Sequence, residues 1–145
     1  MITYALDRHR LPIITAVADH RFGPLADWLI TDISREPSIL LDALAVIDDA
    51  MHGDEPEDWG SDNYEVAVTT DGFTVTNLYF PESVGRYALP EVRAALEEYW
   101  HFFLLAAPSR GLIREYRPDL PEWEAALLRW EERWHRRHPS RGRLF

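Results

Sequence analysis

The sequence predicts an α+β fold in which helices pack on an antiparallel sheet. Three observations carry this. Residues 64–80 read YEVAVTT-DG-FTVTNLYF, two alternating runs of β-branched and aromatic residues around a turn dipeptide. Segments 37–52, 90–107 and 121–138 each repeat apolar residues at helical spacing. Strands that follow one another with helices grouped around them give antiparallel pairing, whereas regular strand–helix alternation gives a parallel sheet.

In chain order, 2–7 (ITYALD) and 12–18 (PIITAVA) read as strands joined by the polar turn Arg8-His9-Arg10. A second turn falls at 20–23, before Pro24. The run 25–33 (LADWLITDI) fits either a third strand or a helix start. Pro37 suits the first turn of the next helix, because proline lacks only an amide that would have no partner there. Leu40, Leu44, Ile47 and Met51 form its apolar stripe and Gly53 its stop. Asp71-Gly72 suits a type I′ hairpin loop, which pairs Val68 with Val75 and Tyr64 with Tyr79. Tyr64, Val66, Val68, Phe73, Val75 and Tyr79 then share one face, with Asn77 among them. A buried amide needs partners, so the strand is expected to bulge or end at Asn77, or Asn77 to bond a nearby loop. Residues 81–87 read as a connection, and Val92, Leu96, Tyr99 and Phe103 as the helical stripe that covers the hairpin. Residues 1–107 form the expected α+β domain and 108–145 a helical extension docked on it through Trp123, Leu127, Trp130 and Trp134. A homodimer through that stripe is the alternative, and the tail 139–145 reads as loose.

Composition restricts function. At 145 residues with 46% apolar residues the chain is long and apolar enough for one cored domain. Without cysteine it has no disulfides, thiolate metal sites or cysteine nucleophile. The N-terminal residues lack a signal-peptide layout and no apolar run approaches a membrane span, so the cytoplasm is the expected location. Net charge is −10, and all 15 basic residues are arginine. Between Arg35 and Arg86 twelve acids occur and no arginine or lysine, so this body repels phosphate backbones and attracts basic partners.

Catalytic and metal patterns are missing. His135 and His138 stand three apart on the last helical segment, but Arg133, Arg136, Arg137 and Arg141 surround them; a surface pair is expected. The acids of 48–62 lack the alternating ligands and central glycine of a calcium loop. No GxSxG or glycine-rich phosphate loop occurs. Neither an enzyme nor a cofactor is expected. The candidate partner-binding residues are Asp48, Asp49, Asp54, Glu55, Glu57, Asp58 and Asp62, with Trp59 among them as an anchor.

Met1, Tyr4, Arg8, His20, Trp28, Leu40-Leu41-Asp42 and Gly53 fall in an order that continues through Trp59, Tyr64, Val66, Asp71-Gly72, Val75 and Asn77 to the aromatic run 99–103. In that order and spacing, residues 1–107 resemble the small bacterial YacL proteins. The resemblance implies a fold and no particular reaction. In size, charge and architecture the chain is also similar to immunity proteins of bacterial toxin–immunity pairs. The resulting expectation is a non-catalytic acidic protein that neutralises a basic toxin such as a nuclease. A YacL-type regulator or adaptor is the alternative.

Overall fold

The computed structural model describes residues 1–56, 59–105 and 114–145. Strands β1 (Ile2–Leu6) and β2 (Pro12–Val17) form one antiparallel pair. The turn between them is held by Asp7, whose Oδ1 accepts from the amides of His9 and Leu11. A 3₁₀ turn, His20–Phe22, leads into helix α1 (Gly23–Trp28), which widens into a π turn at Leu29–Ile33. The 25–33 run is thus helical. It buries Leu25, Trp28, Leu29 and Ile33, a helical spacing that strand alternation does not produce. The π turn closes with the Ser34 amide donating to the Leu29 carbonyl, and Ser34 itself sits at φ 49°, ψ −118°.

Helix α2 (Pro37–Met51) is the centre of the core. Leu40, Leu41, Ala43, Leu44 and Ile47 are all at most 1% exposed, so two faces of the helix are covered and not one stripe. Gly53 then takes φ 88° and turns the chain out of the helix.

Strands β3 (Tyr64–Thr69), β4 (Gly72–Asn77) and β5 (Val84–Tyr87) make the second sheet, in that order. The hairpin register differs from expectation. Val68 pairs with Phe73, Val66 with Val75 and Tyr64 with Asn77, so Thr70-Asp71 is the loop. No residue of that loop has positive φ, hence the type I′ reading of Asp71-Gly72 fails. Gly72 instead lies close to β5: a Cβ there would stand 3.1 Å from the Tyr87 carbonyl oxygen, a tight contact that β5 would have to relax by a few tenths of an ångström to admit. The register moved by two residues, which preserves the faces, so Tyr64, Val66, Phe73 and Val75 are buried together. Tyr79 falls beyond the strand and is 71% exposed.

The expected connection 81–87 contains a strand. β5 was hidden by its shortness and by Gly85, whose missing side chain leaves room for the Tyr87 ring. That ring stacks on Phe22, and its hydroxyl donates to the Arg21 carbonyl at 2.8 Å. α1 lies on β4 and β5, α2 lies on β3, and helix α3 (Leu89–Leu105) packs mainly against α2. The α3 stripe therefore covers the hairpin only in part. At its start Glu91 accepts from the Ala88 amide and pairs with Arg21 at 2.6 Å.

Helix α4 (Glu122–Trp134) ends earlier than the sequence pattern, because His135 turns left-handed at φ 52°. It lies on α2, with Leu127 and Trp130 buried and Trp123 partly so. The Trp130 indole N–H donates to Asp42 at 2.8 Å, and Arg136 pairs with Asp49 at 3.0 Å. The tail is not loose. Phe145 packs on Trp100 and Trp123, Arg143 pairs with Glu97, and Arg141 pairs with Glu131. Nor do His135 and His138 form a surface pair: His138 is 1% exposed, between Trp130 and Phe145. No helix among the described residues is long and apolar enough to cross a membrane.

Candidate interaction site

Between α2 and β3, an edge strand of its sheet, the structure describes residues 54–56 and 59–63. The second of these stretches is fixed from the π turn. Asp32 accepts from the Ser61 hydroxyl, from the Asn63 amide at 3.0 Å and from the Asn63 side chain at 2.8 Å. Ser61 Oγ in turn accepts from the Trp28 indole at 3.2 Å. One carboxylate thus satisfies three donors of a polar segment, and Trp28 ties that segment to the core. Trp59 stands edge-on to Trp28, with ring centroids 5.4 Å apart, and bridges Val66 on the free side of β3.

Between this segment and β3 lies an open groove of about 640 Å³. Trp59, Val68 and Leu78 give it apolar walls, and Glu55 and Glu65 give it charge. Asp54 and Asp62 are exposed on the same segment. No arginine among the described residues pairs with Asp54, Glu55, Asp62 or Glu65. Burial raises the Tyr64 phenol above its ordinary range, and negative Asp27 adds to that.

The sequence candidates divide. Asp54, Glu55, Trp59 and Asp62 fall on the groove segment. Asp49 is engaged by Arg136, and Asp48 lies 3.3 Å from His52, whose pKa is raised by its bond to the Asp48 carbonyl and by that carboxylate. Glu57 and Asp58 lie outside the described residues. Glu65 and Leu78 were missed as site residues. Strand alternation places Glu65 on the outer face, which could have flagged it; nothing local flags Leu78.

A second cleft, of about 850 Å³, lies between the start of α2 and α4. Arg114, Arg129 and Arg133 share it with Asp42, Glu115 and Glu132, a mixed lining that selects no one ligand charge. Among the described residues no three histidines or carboxylates converge to hold a metal ion. Comparison of the chain with protein-family models, curated proteins and solved structures finds no match.

Proposed function

We propose that this is a non-catalytic acidic interaction protein, an immunity protein that binds and neutralises a cognate basic toxin such as a nuclease. The observation that carries this reading is the run of twelve acids without arginine or lysine between Arg35 and Arg86. The fold leaves part of it, Asp54, Glu55, Asp62 and Glu65, without arginine partners among the described residues, at a groove with an aromatic wall. Among the described residues six arginines pair with other acids: Arg21 with Glu91, Arg136 with Asp49, Arg141 with Glu131, Arg93 and Arg143 with Glu97, and Arg117 with Asp119. A nuclease site is basic because it binds phosphates, so carboxylates on a fixed scaffold compete with its substrate and accelerate encounter.

The test is recovery of the tagged protein from its native host at low and moderate salt, beside an Asp54→Asn, Glu55→Gln, Asp62→Asn, Glu65→Gln variant. The expected result is one stoichiometric basic protein whose toxic or nucleolytic activity the wild-type chain suppresses and the amide variant suppresses less. Equal suppression by both chains, or a partner without basic character, would count against the reading.

A further inference from the structure

Leu78, Tyr79 and Phe80 are 51%, 71% and 62% exposed, three large apolar side chains in succession on the surface. Scattered apolar residues are ordinary, but a consecutive exposed run needs a reason. This run is not a slack loop. Asn77 Oδ1 accepts from the Tyr79 amide at 2.9 Å and the Phe80 amide at 3.0 Å, which turns the backbone at the end of β4. The Leu78 amide donates to the Asn63 carbonyl at 3.0 Å, and the Ser83 amide to the Phe80 carbonyl at 2.8 Å. The knuckle is thus held at both ends, with its side chains pointing away from the core. Apolar groups fixed in this way lose little further entropy when a partner covers them.

The knuckle adjoins the groove. Leu78 is part of the groove wall, whose charged lining is Glu55 and Glu65, and Glu82 is exposed in the same β4–β5 loop. The groove runs along β3 and is lined by that strand from Tyr64 to Thr69, a shape that takes an extended segment. We infer that Leu78, Tyr79 and Phe80 are the apolar anchor of the acidic surface, and that the occupant is an extended segment of a protein partner in which basic and apolar side chains alternate. This rests on the acidic-interaction reading above and adds the source of its residence time: carboxylates steer the encounter, while buried aromatic anchors slow dissociation.

The test uses the full chain and three synthetic peptides of one length, alternating arginine with leucine, arginine with serine, and glutamate with leucine. Amide NMR titration reports both site and affinity. The arginine–leucine peptide is expected to shift Glu65 and Leu78 to Phe80, and to bind at least about tenfold more tightly than the arginine–serine peptide. A Tyr79→Ser, Phe80→Ser variant should erase that difference and still bind arginine–serine peptide as wild type does. Both side chains are exposed, so the spectrum of the unbound variant should keep the native dispersion. Equal binding of the two arginine peptides overturns the anchor and leaves the acidic reading standing. Equal binding of the glutamate–leucine peptide removes the basic partner, and with it the proposed function. Absence of binding by any peptide, or self-association of the wild type that the double substitution abolishes, also overturns the inference; the latter gives the knuckle to a second copy.

Discussion

Replacing His138 with phenylalanine separates two roles that the structure gives one ring. The Ser140 amide donates to Nδ1 at 3.0 Å, so the proton of the neutral imidazole is on Nε2, which donates to the Leu41 carbonyl at 2.9 Å. Phenylalanine keeps the ring contacts with Trp130 and Phe145 but neither hydrogen bond. Leu41 lies within α2, where its carbonyl also serves the helix, so the larger loss is the buried Ser140 amide left without an acceptor. We expect about 2–3 kcal/mol of destabilisation at about pH 8, most of it from that one group. The second role is a pH dependence. Burial holds the His138 pKa below its ordinary value, against the opposing influence of the Leu41 carbonyl and Glu131, while Arg136 adds to the lowering. The unfolded chain then binds the proton first, so the stability is complete above about pH 6.5 and is lost as pH falls below it. One unit below, the loss from this residue is at most about 1.4 kcal/mol. His52 works in the opposite sense, because its pKa is raised and its contribution fades as pH rises; it is present in both chains and cancels in the comparison. Urea unfolding of wild type and His138→Phe at about pH 8 and about pH 5.5 reads both quantities. If the two chains lose equal stability on acidification, or differ by less than about 0.5 kcal/mol at the higher pH, the account of His138 is wrong.

Three further substitutions, with Gly23→Ala as a control, test the scaffold. In Gly85→Ala the new Cβ would overlap the Tyr87 hydroxyl and ring; because that ring is pinned by Arg21 and Leu25, a loss of about 3 kcal/mol is expected, read as a fall in Tm of roughly 10 °C, whereas the control Gly23→Ala, with nothing within 4 Å, should change it little. Ser34→Gly should raise stability by up to about 1 kcal/mol in chemical denaturation, since φ 49° with ψ −118° strains any residue with a Cβ. Asp32→Ala should cost about 2 kcal/mol and speed hydrogen exchange at the Asn63 amide, which then has no acceptor; unchanged exchange there would mean that Asp32 does not hold the groove segment.

Much of the fold was legible because local signals and burial agree. Pro37 and Gly53 bracket α2 as the sequence implies, and period-two alternation assigned Tyr64, Val66, Phe73 and Val75 to one face even though the loop was placed one residue late. The loop was misread because Gly72 marks a close approach of β5 and not a left-handed turn. β5 was illegible for the same reason: four residues containing Gly85 have no strand signature, and only the Tyr87 ring laid across the glycine makes sense of them. The tail was misread because its anchors are tertiary. Nothing in PSRGRLF announces that Arg141 will reach Glu131 or that Phe145 will meet Trp100. The acidic segment was visible as charge, and Asn77 as a strand end, but the knuckle it creates appeared only once the register ended β4 at Asn77.

On the proposed function, exposed carboxylates beside the β3 groove bring a basic partner to this protein. The most direct test is the association rate constant of the recovered partner, followed across ionic strength for wild type and for the Asp54→Asn, Glu55→Gln, Asp62→Asn, Glu65→Gln variant. The expected rate falls steeply with salt for wild type and along a clearly shallower slope for the variant, the two converging at high salt. Identical slopes would contradict the proposal, because the encounter would then owe nothing to these four side chains.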